Sequence, residues 1–249
     1  MKSRMMMAAL AAAVLVLGAV QSSMASIRTI GIGDVVTVRH GGINYRTGNG
    51  GEFQLGLDGV ENNYFHTFCA ENDEDLGGNN QKYLVKSIGT VTKDQGAVLT
   101  TGIARLFRDY YDAMQVRSFG FEGVTGGSYA AGSSTSFTLA GGAVTFDMST
   151  AATRSASGRS VQIALWNMLY GSGLGGNANA IALKNYYSAL ANTGEYYSVR
   201  FANLIFSGGS RNGQDAQDQF VVIPEPGSLL VWGVLGLAGV GMTNRRRKG

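Results

Sequence analysis

The sequence predicts an α+β fold: a β-rich, sandwich- or barrel-like domain with a few packed helices. Three observations lead there. Segments with strand patterning stand at the front and back of the central region, with helix-patterned segments between them, and the regular alternation a parallel sheet requires is missing. Of the 37 glycines, 19 gather in separate clusters, Gly41–Gly51, Gly120–Gly142, Gly171–Gly176 and Gly208–Gly213, which punctuate regular elements rather than forming a low-complexity tract. The span 26–222 is long enough for one domain with a real core, and it carries no internal repeat.

Element by element, Asp34–His40, Glu52–Asp58 and Tyr64–Glu71 alternate or carry β-branched and aromatic residues, and read as strands. A helix is expected over Gln95–Gln115, with Ile103, Phe107, Tyr110, Tyr111 and Met114 on one face. Ser134–Leu139 and Ala143–Met148 read as a hairpin turned at Gly141-Gly142. A second helix is expected over Arg159–Tyr170, with Val161, Leu165, Met168 and Leu169 inward, and a third over Asn177–Leu190. Tyr196–Phe206 and Asp218–Val222 return to strand.

The two ends have a different character. Lys2 and Arg4 precede an apolar run from Met5 to Val20, and Ser23-Met24-Ala25 supplies the small residues of a signal-peptidase site. Residues 1–25 therefore read as a signal peptide, cut between Ala25 and Ser26. At the other end the chain's only two prolines flank Glu225. Pro224-Glu225-Pro226 has lost two N–H donors and stays extended, in a form an enzyme can bind. Beyond it, Gly227–Met242 is apolar and would reach roughly 24 Å as a helix, short against a hydrocarbon core of about 30 Å. Gly233, Gly236 and Gly239 give it a smooth face for another membrane helix. Arg245, Arg246, Arg247 and Lys248 form a stop-transfer cluster that stays cytoplasmic. Residues 223–249 resemble the PEP-CTERM sorting signal of Gram-negative bacteria. That resemblance implies processing by an exosortase, transient residence in the inner membrane, and delivery to the cell surface or the exopolysaccharide matrix.

The basic sequence pI of about 9.0 belongs to these tags. Of the 20 Lys and Arg residues two stand in the leader and four in the tail, leaving 14; of the 17 Asp and Glu only Glu225 is in the tail, leaving 16. The body is thus slightly acidic, with no basic stripe to bind nucleic acid.

Cys69 is the one cysteine, so no internal disulfide is available to an exported chain. It reads either as a small buried hydrophobe on a strand or as a reactive group. In Thr67-Phe68-Cys69-Ala70-Glu71 the residues Thr67, Cys69 and Glu71 share one face. In Val161-Gln162-Ile163-Ala164-Leu165-Trp166 the residues Gln162 and Trp166 stand one helical turn apart, at the edge of an apolar face. A buried carboxamide without partners costs about 1–3 kcal/mol. A thiolate pressed against it can displace ammonia, leaving a thioester without those N–H donors, which Trp166 would shield from water. These two blocks resemble the bacterial Cys–Gln thioester domain known from Gram-positive surface adhesins, and Ala104–Phe107 and Gln217–Phe220 look like further parts of that pattern. The resemblance implies a Cys69–Gln162 thioester, surrounded by Phe68, Glu71 and Trp166, that acylates an amine on a partner. The adhesins' cell-wall sorting signal and stalk domains have no counterpart in this sequence.

Other candidates carry less. His66 is three residues from Cys69, which on a strand puts it on the opposite face and argues against a Cys–His hydrolase pair. His40 reads as a surface residue at a strand end. Glu71, Asp73, Glu74 and Asp75 form an acidic turn; Asp73 and Asp75 match the start of a calcium loop, but Leu84 stands where its last carboxylate belongs. Gly31-Ile32-Gly33 precedes a strand rather than a helix, unlike a dinucleotide loop. No carboxylate pair announces a glycosidase. The expectation is a surface or matrix binding module, not a turnover enzyme, with no cofactor or metal. The alternative is a matrix protein in which Cys69 and Gln162 only pack.

Overall fold

The computed structural model describes residues 30–39, 52–59, 64–72, 77, 80–116, 134–147, 149–171 and 174–223. The leader with Ala25 and Ser26, the tail from Pro224 to Lys248, His40, Asp73–Asp75, Met148 and the side chain of Met114 lie outside these residues. The described chain is α+β, an antiparallel six-stranded sheet with three helices and a separate hairpin. No described helix is long and apolar enough to cross a membrane.

Strands β1 (Val35–Arg39), β2 (Glu52–Leu57), β3 (Tyr64–Phe68), β4 (Gln81–Gly89), β7 (Val199–Phe206) and β8 (Asp215–Val222) pair in the order β3-β2-β1-β4-β7-β8. The outer two strands meet as well. Cys69, one residue past β3, forms an antiparallel bridge with Gln219. Ala70 N–H donates to the Asp218 carbonyl at 2.7 Å and the Thr67 hydroxyl to the Phe220 carbonyl at 2.6 Å.

Period-2 alternation divides the sheet's side chains into two cores. Val36, Val38, Phe53, Leu55, Cys69, Tyr83, Val85, Leu204, Phe206 and Val221 pack together on one side. Phe68, Ala70, Val199, Phe201, Phe220 and Val222 turn the other way, toward the helices α1 (Thr101–Val116), α2 (Ala151–Tyr170) and α3 (Ala178–Ser188). The hairpin β5 (Ser134–Leu139) and β6 (Gly142–Asp147) adds Leu139, Val144 and Phe146 to that second core. On α1, Ile103, Phe107, Tyr110 and Tyr111 form the buried face that their spacing predicts. Gly102 lets α1 approach α3, because a Cβ there would overlap the Tyr187 carbonyl oxygen.

Several boundaries differ from the sequence expectation. Strand β4 is not among the expected strands, although Tyr83 and Val85 alternate inward between exposed Lys82 and Lys86. Helix α1 begins at Thr101 rather than Gln95, because Val91 and Val98 bridge first and the Thr100 hydroxyl then accepts Ile103 N–H at 3.3 Å. Helix α2 begins eight residues before Arg159. Its start is set by a Thr150–Thr153 capping box, and Gly158 lies inside the helix against Glu52. The hairpin turns at Ala140-Gly141, since Gly142 already pairs with Leu139. Tyr197 and Ser198 hold positive φ values of 48° and 62°, so β7 starts at Val199 and not at Tyr196.

Candidate functional site

The end of β3 and the middle of α2 come together. Cys69 and Gln162 are buried, with relative exposures of 1% and 0%. The Gln162 carboxamide lies along the Cys69 backbone and copies the pairing of a neighbouring strand. Cys69 N–H donates to Gln162 Oε1 at 2.9 Å, and Gln162 Nε2 donates to the Cys69 carbonyl at 2.7 Å. A helix side chain thus supplies the hydrogen bonds that the sheet ladder stops supplying after Phe68. The Tyr170 hydroxyl, two turns further along α2, donates to the Ala70 carbonyl at 2.8 Å and holds the same strand end.

The Cys69 sulfur points into the first core, which Trp166 joins from α2. The Trp166 indole N–H is buried with no hydrogen-bond partner among the described residues. Burial pushes the Cys69 thiol well above its ordinary pKa, a hydrogen bond from Gln219 pulls it back, and the Glu71 charge pushes it further up. Phe68 takes the other face. Its ring packs edge-on against Phe107 and Tyr110 in the helix layer, with centroids 6.3 Å and 5.4 Å away. His66 also faces away from the sulfur, in contact with the buried Glu52 carboxylate on the helix side.

Glu71 is fully buried and braces the surrounding loops. Its carboxylate accepts Asp94 N–H at 3.0 Å and Asp218 N–H at 3.1 Å, while its carbonyl accepts from Gln217 Nε2. Asp218 is buried beside it and accepts Lys93 N–H at 2.8 Å. Burial raises the Asp218 carboxyl to about 7, with backbone donors from Lys93 and Leu204 opposing and the Glu71 charge reinforcing. Two acids in contact through one backbone segment thus hold the crossover between β3 and β8.

Two groups take roles that the sequence does not assign them, Gln219 within the Gln217–Phe220 block and Glu52 at a strand start. Gln219 reaches the sulfur itself, with Nε2 at 3.5 Å from Cys69 Sγ. Its signal is a polar residue at the inward parity of a strand, two before buried Val221. Glu52 on β2 binds Arg154 of α2 at 2.7 Å and the Tyr110 hydroxyl at 3.4 Å, a buried charge that anchors the start of the helix carrying Gln162. Among the described residues no three His, Cys, Asp or Glu side chains stand together as a metal site.

Gln162 thus meets the backbone of Cys69, while the hydrogen bond to the sulfur comes from Gln219. Comparison of this chain with protein-family models, with curated proteins and with solved structures finds no match.

Proposed function

We propose that this chain is an exported surface or extracellular-matrix protein, a binding or adhesion module with an internal Cys69–Gln162 thioester. In this reading signal peptidase frees Ser26, and an exosortase recognises Pro224-Glu225-Pro226 while the apolar tail is in the inner membrane. The six strands, joined through the Cys69–Gln219 bridge, work as a barrel-like cage around the bond.

The observation that carries the reading is the carboxamide of Gln162 seated on the Cys69 backbone in a closed site. As sulfur adds to Cδ, negative charge grows on Oε1, which already faces the Cys69 N–H at 2.9 Å. The C–N bond then breaks, and the thiol proton leaves with Nε2 as ammonia. Exclusion of water protects the product from hydrolysis. A partner amine reaching Cδ breaks the C–S bond, forms an amide on Gln162 and returns the proton to Cys69. The chain is consumed in that attachment, so it acts once and is not a turnover enzyme.

A second reading is favoured by the same hydrogen bonds. Both polar ends of the Gln162 amide are already satisfied, so the residue also works as a staple in a non-reactive matrix protein. Intact mass separates the two. For the thioester we expect the folded protein to be lighter than its sequence mass by one ammonia, and methylamine to add to Gln162 while freeing the Cys69 thiol. Cys69→Ala and Gln162→Ala each abolish both signals. Full sequence mass in protein prepared without amines or reductant decides for the staple.

A further inference from the structure

Resting on that reading of the site, we propose that Gln219 is a catalytic residue of the thioester, the N–H donor that carries the charge on the Cys69 sulfur. Gln219 is fully buried on β8, across the bridge from Cys69, and its Nε2 stands 3.5 Å from Sγ. The amide is held in that pose by the carbonyls of its own strand. Nε2 also donates to the Gln217 and Asp218 carbonyls at 3.3 Å and 3.2 Å, while Oε1 lies 3.4 Å from the Thr67 hydroxyl, whose proton goes to the Phe220 carbonyl at 2.6 Å. Nε2 has two N–H bonds for its three acceptors, so one N–H is shared between the two adjacent carbonyls and the other serves the sulfur.

The division of labour between the two glutamines follows from what each touches. Gln162 meets the backbone of Cys69 and offers the carbon that is attacked. Gln219 meets the sulfur, the atom that bears charge whenever the C–S bond is made or broken. In formation, Sγ gives up its proton and bonds to Cδ. In opening by an amine, the same sulfur departs with the bonding pair and takes a proton from the attacking nitrogen. A thioester sulfur is a poor acceptor and a thiolate a good one, so the Gln219 hydrogen bond is stronger in the transition state than in either ground state. Burial makes an uncompensated thiolate costly, and Gln219 is the donor placed against it.

The test compares the wild-type chain with Gln219→Met, which keeps volume and loses the donor, and Gln219→Glu, which keeps shape and donates only when protonated. Intact mass follows the ammonia deficit and the rate of opening by hydroxylamine, a nucleophile that stays unprotonated in mild acid, with melting temperature measured alongside. We expect Gln219→Met to form and open the bond at least about tenfold more slowly at unchanged melting temperature. The Gln219→Glu rate, relative to wild type, should climb as pH falls and its carboxyl gains a proton, a response that a packing role would not produce. Wild-type opening rates in Gln219→Met, or a flat Gln219→Glu ratio, would overturn the assignment while leaving the thioester intact. A wild-type chain at full sequence mass would instead remove the thioester, and the role of Gln219 with it.

Discussion

Asp218 is the residue whose surroundings make the sharpest demand on pH. It is fully buried near Glu71, and its folded carboxyl titrates at about 7 against an ordinary value of 3.8. Between those values the folded state holds a proton that the unfolded chain has released, so stability falls as pH rises from about 4 to 7. Asp218→Asn removes the titration but keeps an oxygen for Lys93 N–H. The variant should gain on wild type by on the order of 3 kcal/mol between pH 4 and pH 8, measured by urea unfolding at both pH values. A constant difference across that range would show that Asp218 is ionised throughout. At this scale the site was partly legible in the sequence. Cys69 and Gln162 stand in the two blocks whose pairing the resemblance to the Cys–Gln thioester domain implies, and the fold sets that strand end against the helix. Gln219 stood only inside the Gln217–Phe220 block with no role of its own, because its partner is the sulfur of a residue 150 positions away and only the meeting of β3 with β8 brings the two together.

At the scale of elements, α2 matters most, since it carries Gln162, Trp166 and Tyr170 to the end of β3. Its front half, Ala151–Gly158, is built of small and polar residues with no apolar stripe, which is why periodicity alone finds only the back half. What holds that front half is a charge. Burial works to raise the Glu52 carboxyl, yet His66 and Arg154 together keep it below its ordinary 4.5. A carboxylate held low adds stability above that ordinary value and loses it as pH falls through the lower folded one. Arg154→Ala leaves Glu52 buried with one cation fewer, and we expect a loss of about 3 kcal/mol at pH 7. The deficit should shrink toward pH 4, where the stranded carboxyl takes up a proton. Equal losses at pH 7 and pH 4 would assign the effect to packing of the Arg154 side chain instead. Strand β4 was hidden for a related reason: Lys82 and Lys86 frame only two inward residues, and pairing on both sides, to β1 and β7, makes it a strand.

For the whole molecule the question is whether sorting and cross-linking are separable devices. The domain's last described backbone hydrogen bond is Ile223 N–H to the Ser198 carbonyl at 2.8 Å, one residue before Pro224. Pro224, the next residue in the sequence and the first of the Pro-Glu-Pro strip, has no N–H with which to continue such pairing. Cys69, Gln162 and Gln219 all lie within the sheet and α2, upstream of that strip. Cleavage at the strip therefore leaves every atom of the proposed bond in place. In the native host, released protein should lack Trp232 and all that follows it, while Glu225→Ala should stay in the inner membrane. The retained Glu225→Ala protein should still be lighter than its sequence by one ammonia and should still take up methylamine. Peptide mapping and intact mass on the two fractions read both properties at once. Recovery of Trp232 in released protein would count against processing at the strip. Loss of the ammonia deficit in the retained variant would mean that the bond closes only after sorting, and that the two devices are coupled.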